Sequence, residues 1–174
     1  VRVAGSTSDF EPDYVRDVMP VLSKLGCNAG ICHGSKDGRN GFKLSLRGYD
    51  PIYDIRAFTD DLASRRVNIA SPDNSLILLK ASASVPHEGG QLTKLGEDYY
   101  EILKGWIANG AKLEINSPKV TGIDLYPQNP VVQKIGDKQQ MRVIATYANG
   151  EKRDVTAESF IETGNSDIAT TNKG

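Results

Sequence analysis

The sequence predicts two joined parts: a mainly α first domain with short β-hairpin insertions, and a partial all-β sandwich after it. Three observations carry this. Helix-period apolar stretches with recognisable start and stop residues occur only before residue 114. Beyond it come alternating runs rich in Val, Ile, Thr and Tyr, broken by Asn-Gly, Asp and Pro. The composition changes across "EINSPKV", residues 114–120, which places the boundary at Ser117 and the domains at 1–116 and 117–174.

In chain order, "DVMPVLSKLG" sets Pro20 near a first turn and Val18, Val21, Leu22 and Leu25 at helical spacing. "GSKDGRNGFKLSLRGYDP" follows, with Asp-Gly and Asn-Gly turn pairs; the alternation of FKLSL predicts a short strand. Its "DGRNG" lacks the spaced acids and final Glu of a calcium loop and reads as turn chemistry. "SPDNSLILLK" opens with Ser71 as an N-cap candidate and Pro72 as first helical residue. "GEDYYEILKGWIANGA" puts Tyr99, Ile102, Leu103, Trp106 and Ile107 on one face, acids in the first turn and Gly110 at the stop. In the second part MRVIATY alternates, and ANGEKRDV predicts a hairpin into another strand. The roughly 58 residues there fall short of the ~100 of an immunoglobulin domain, so an incomplete pair of sheets is expected.

The chain has 174 residues, a net charge of -1 and no long Lys/Arg run, which argues against a nucleic acid or an anionic membrane as partner. No apolar run approaches the ~20 residues of a membrane helix. The opening VRVAGSTSDF has neither Met nor a signal-like segment, and a processed or engineered start is expected.

The chemistry concentrates in "LSKLGCNAGICHGSKDG", which holds both cysteines, Cys27 and Cys32, and one of two histidines, His33. Covalently attached haem uses C-x-x-C-H, two thiols for the two vinyl groups and an imidazole to reach the iron. Here the spacer is four residues. On a regular helix five steps of about 100° set the cysteines roughly 140° apart. The spacer must therefore loop out, and Asn28 and Gly30 are expected to supply left-handed backbone. Three other readings stand beside haem: a small-loop disulfide, a zinc site of Cys27, Cys32, His33 and His87, or two inert buried thiols. No Ser/His/Asp set, phosphate loop or carboxylate pair is evident, so an enzyme is not expected.

"VMPVLSKLGCNAGICHG" resembles the haem-attachment entry of class I cytochromes c, and "YYEILKGWIANGAKL" resembles their C-terminal helix. With "GFKLSLRGYDP", "SPDNSLILLKASASVPHEGG" and the C-x4-C-H spacing, the first domain is similar to cytochrome c domains of large secreted planctomycete-type proteins. Residues 117–174 resemble the first half of a bacterial group 2 Ig-like module. The resemblance implies one covalently attached haem c, thioether bonds from Cys27 and Cys32, and His33 as proximal iron ligand. It implies one-electron transfer to redox partner proteins, in the periplasm or outside the cell, with the Ig-like part as a spacer, a docking element or a homodimer contact. The family's usual methionine ligand has no counterpart: Met19 precedes the cysteines and Met141 lies in the second part. His87, in "SVPHEGGQL", is then the expected distal ligand, with Lys80, Lys94 or water as alternatives. A pair of imidazoles predicts a low reduction potential. Trp106, Phe42 and Tyr49 are expected near the porphyrin. Two other functions remain: a disulfide- or zinc-stapled module with an adhesive Ig-like part, and an electron-transfer fragment of a larger secreted enzyme.

Overall fold

Asp13 starts the first helical segment, a π-turn over Tyr14–Val18: its carboxylate accepts from the Arg16 N–H at 2.7 Å, and Asp17 Oδ2 accepts from the Asp13 N–H at 2.8 Å. Two orphan donors at a helix start are thereby satisfied. The Ser117 hydroxyl also donates to Asp13, tying the end of this region to its beginning. The computed structural model describes residues 10–62 and 64–171. By its internal contacts the chain divides into Val1–Ser117 and Pro118–Gly174.

In the first unit, α1 (Met19–Lys24) continues directly from the π-turn. It ends with Gly26 at φ +80°, where the Gly26 N–H bonds to the Ser23 carbonyl and the Cys27 N–H to the Leu22 carbonyl. That double closure is the Schellman motif, which favours glycine because the left-handed residue carries no Cβ. α2 (Pro51–Thr59) begins where Asp50 accepts from the Tyr53 N–H at 3.0 Å and Pro51 supplies a preset φ.

α3 (Leu76–Ala81) does not start at Pro72. Residues Pro72–Asn74 form one 3₁₀ turn, and Ser75 is extended, its hydroxyl accepting from the Asn68 N–H at 2.9 Å. α4 (Asp98–Ala108) closes in a second Schellman arrangement, with Gly110 at φ +95° and the Ala111 N–H on the Trp106 carbonyl at 3.0 Å.

The expected strand over FKLSL is not formed. Its backbone donors are already committed, Leu44 N–H to the His33 carbonyl at 2.8 Å and Ser45 N–H to the Asp54 carboxylate. A partner strand would find nothing to pair with. Only an Arg39–Phe42 bridge across the Asn40-Gly41 turn remains of the hairpin.

The core joins these segments through aromatic side chains. Trp106 lies 5.3 Å from Tyr14 and 6.1 Å from Phe58, and Phe58 lies 5.2 Å from Phe42, ring centre to ring centre. Val18, Val21, Leu22, Leu44, Leu78, Leu103 and Ile107 fill the remainder, all buried. Each such side chain is worth roughly 1.5–3 kcal/mol on removal from water. On α4 it is Tyr100, not Tyr99, that is buried, and its hydroxyl donates to Asp73 at 2.9 Å.

The second unit is one antiparallel sheet, β1 (Val120–Tyr126), β2 (Arg142–Tyr147) and β3 (Lys152–Asp154), in that order. β2 buries Val143, Ala145 and Tyr147, every second residue, as a one-faced strand requires. Leu125 pairs with Val143 and Ile123 with Ala145, so both continue that apolar face. The β2–β3 turn closes with the Gly150 N–H on the Tyr147 carbonyl at 2.9 Å. No second sheet is formed among the described residues. Residues 127–140, between β1 and β2, are exposed and without regular structure. Brief trypsin treatment is expected to cut first after Lys134 or Lys138, because exposed backbone outside any ladder is the substrate proteases take. Mass mapping of the first fragments checks this; an initial cut within α1 or α4 would contradict it.

Candidate functional site

The α1 cap places Cys27 directly after Gly26. From there the chain runs through consecutive tight turns: Cys32 N–H to the Ala29 carbonyl at 2.9 Å, His33 N–H to the Cys27 carbonyl at 3.1 Å and Gly34 N–H to the Ala29 carbonyl at 3.1 Å. The four-residue spacer does loop out, but not as the sequence suggests. Neither Asn28 nor Gly30 has positive φ; the left-handed residue is Gly26, before the first cysteine. Asn28 is instead buried, its Nδ2 donating to Ser23 Oγ at 2.9 Å and its carbonyl accepting from the Arg47 N–H at 3.1 Å. Its Oδ1 has no partner.

Gly34 is required by close approach. A Cβ there would stand 2.1 Å from the Asn28 carbonyl oxygen, which is backbone and cannot step aside. Gly34→Ala is expected to destabilise the first unit by about 3 kcal/mol or more, the range of severe steric substitutions. A urea titration of near-ultraviolet signal measures it; an unchanged midpoint would show that the spacer turns repack freely.

His33 is partly buried, and its Nδ1 lies 3.1 Å from the Phe42 carbonyl oxygen. A carbonyl only accepts, so Nδ1 carries the proton and Nε2 keeps its lone pair in the neutral ring. The Phe42 ring lies 4.7 Å from the imidazole. Burial pushes the His33 pKa down; the Phe42 carbonyl opposes this, and the charges of His87, Arg66 and Arg39 reinforce it. The ring therefore stays neutral at pH 7, the form that binds metals.

His87 repeats the pattern. Its Nδ1 lies 3.2 Å from the Gly90 carbonyl oxygen, in a turn closed by the Gly90 N–H on the His87 carbonyl at 2.9 Å. Nε2 is again left free. The loop is held to the end of α3: Lys80 Nζ donates to the Pro86 carbonyl at 2.5 Å, and Leu92 N–H donates to the Ala81 carbonyl at 2.8 Å. Lys80, an alternative iron ligand by sequence, is thus an anchor of the loop that carries His87. Lys94 is exposed and borders a groove of about 500 Å³ with Lys104, Gln91 and Ser82. A second cavity of about 310 Å³ is framed by Asp13, Arg16, Trp106 and Lys112. Neither is lined by Cys27, Cys32, His33 or His87.

Both cysteines are free thiols. Burial, with Cys32 nearby, pushes the Cys27 thiol up to about 12, so it is not a thiolate at neutral pH. Zinc would need three or four donors in one place, and no group of three among the described residues could hold a metal ion. Met19 packs its thioether against Gly48, where a Cβ would meet the sulfur at 2.6 Å. Tyr49 is 92% exposed and does not line the site, and Trp106 turns its indole N–H to the Lys112 carbonyl inside the core.

The residues present fit an attached haem in one chemical respect: two imidazoles, each with Nδ1 on a backbone carbonyl and Nε2 left to bind a metal. The spacing of Cys27, Cys32 and His33 pointed to the first imidazole. Three contributors were not read from the sequence: Phe42 as acceptor, Lys80 as anchor, and Gly89. A Cβ at Gly89 would come within 2.8 Å of His87 Cε1, so the glycine leaves room for the ring. The Gly89-Gly90 pair was visible in the sequence as a place where groups can approach the backbone closely, without showing that the group is the His87 ring. Gly89→Ala is expected to swing the imidazole away from the Gly90 carbonyl while moving global stability by less than about 1 kcal/mol. A change in the His87 Cε1–H resonance at an unchanged unfolding midpoint is the expected outcome; an unmoved resonance would show that the ring has other space.

Comparison of the chain with protein-family models, with curated proteins and with solved structures returned no match. Among the described residues no helix is long and apolar enough to cross a membrane.

Proposed function

We propose that residues 1–116 are a monohaem c-type cytochrome domain that carries single electrons between redox partner proteins in the periplasm or outside the cell, and that the sheet-bearing part serves as a spacer or docking module. The observation that carries the reading is the matched treatment of His33 and His87. Each Nδ1–H is spent on a backbone carbonyl, at 3.1 and 3.2 Å, and each Nε2 is available. Metal-bound histidines are commonly held this way, because the hydrogen bond fixes the tautomer and raises the basicity of the other nitrogen.

In this reading Cys27 and Cys32 hold the group by thioether bonds, His33 is the proximal ligand and His87 the distal one. The haem supplies a one-electron couple that no side chain here offers. The chain's own work would be to orient the His33 and His87 imidazoles toward the metal, committing both to it and keeping neither for a substrate. Electron transfer, not catalysis, follows. Imidazole in place of thioether favours a low potential.

Protein produced with a haem-attachment system is expected to show one haem added in denaturant, and Cys27→Ser with Cys32→Ser to lose it. The ferric protein is expected to be low-spin, and His87→Ala to take up cyanide or imidazole readily. An unmodified mass would reject haem attachment; an unchanged spectrum in His87→Ala would reject His87 as ligand.

A further inference from the structure

Arg66 is a buried charge that the assignments above do not use. The residue is 7% exposed, and its guanidinium makes three hydrogen bonds: Nη1 donates to the Ala57 carbonyl at 2.7 Å and to Asp61 Oδ2 at 3.0 Å, and Nη2 to the Gly41 carbonyl at 3.1 Å. Its carbon centre lies 4.5 Å from the Phe42 ring centroid, the ring that also contacts His33 at 4.7 Å. Gly41 immediately precedes Phe42, whose carbonyl orients the His33 imidazole. The arginine thus touches the support of His33 twice, at the backbone beside it and at the ring against it. Its one anionic partner, Asp61, has a side chain 65% exposed. Water screens that carboxylate far more than the protein screens the buried guanidinium, so the charge facing inward is positive.

Burying a charge costs several kcal/mol unless it is paired and hydrogen-bonded, and an apolar residue of similar size is often at least as stabilising. Stability alone is a weak reason for an arginine here. We infer that Arg66 is a positioning and potential-setting residue for the metal group held by His33: it fixes the Gly41–Phe42 segment and places a permanent positive charge beside the proximal ligand. The inference rests on the haem reading of His33 and His87. Its consequence follows from Coulomb's law at low effective dielectric. Oxidation leaves one more positive charge on the site than reduction does, so a nearby cation favours the reduced form and raises the potential. Arg66 therefore works against the lowering expected from two imidazoles.

The test uses the haem-loaded full chain, with one attached haem confirmed by mass for each variant, and reads the reduction potential by spectroelectrochemistry. Arg66→Gln retains hydrogen-bond donors without charge and is expected to lower the potential. Arg66→Lys retains the charge and is expected to stay closer to wild type. Asp61→Asn removes a water-screened anion from an exposed position and is expected to raise the potential by less than Arg66→Gln lowers it. An unchanged potential in Arg66→Gln would overturn the inference, and Arg66→Lys falling as far as Arg66→Gln would overturn the charge in favour of geometry alone. Should Arg66→Gln not fold, Arg66→Met, of similar length and without charge, takes its place: a lowered potential supports the inference and an unchanged one overturns it. A wild-type chain that takes no haem overturns the inference together with the reading beneath it, and the mass tells that failure apart from the others.

Discussion

One hydrogen bond organises the first unit around its chemistry: the Phe42 carbonyl accepting from His33 Nδ1. The carbonyl is in place because Asn40 and Gly41 both take positive φ, which turns the chain back on itself and pairs Arg39 with Phe42. Asn and Gly tolerate that region at little cost. The same Phe42 contributes its ring to a chain of aromatic contacts through Phe58 to Trp106 and Tyr14. A two-residue turn therefore sets both the tautomer of His33 and the edge of the core. Loss of Phe42's position would free the imidazole and open the packing together.

The two histidines are held by unequal means. His33 sits between α1 and the Phe42 turn, with its backbone bonded to Cys27 on one side and Leu44 on the other. His87 sits in a loop whose restraints are the Lys80 clamp, the Leu92 bond to Ala81 and the space left by Gly89. Elements with few buried contacts and exposed hydrogen bonds open first. The His87 loop is accordingly the part that yields most easily, and the His33 segment the part that is built into the fold.

The cluster of Cys27, Cys32 and His33 was legible because its residues lie in one short stretch, and spacing is a property of the chain alone. The α4 cap was legible for the same reason, Gly110 standing where helical periodicity stops, whereas the Gly26 cap of α1 came from the structure. α2 carried a readable signal as well, Asp50 followed by Pro51, yet its apolar residues Ile55, Ala57 and Phe58 do not form a long periodic stripe, and the segment was read without a helix. The strand expected over FKLSL failed because alternation reports which side chains face inward, not whether the backbone donors are free. Leu44 is indeed buried, but its N–H belongs to His33.

By itself the sequence determined the change of character near Ser117, the stop of α4 at Gly110, the thiol pair and the adjacency of Cys32 to His33, because each depends on residues a few positions apart. The tertiary structure alone decided which partner each imidazole has, that Arg66 lies against the Phe42 ring, that Lys80 anchors the His87 loop, and that Tyr49 faces solvent. Those are encounters between segments that no local pattern encodes. They follow from how the core around Trp106 closes, and a carbonyl or a guanidinium becomes part of the site only once that closure has brought it there.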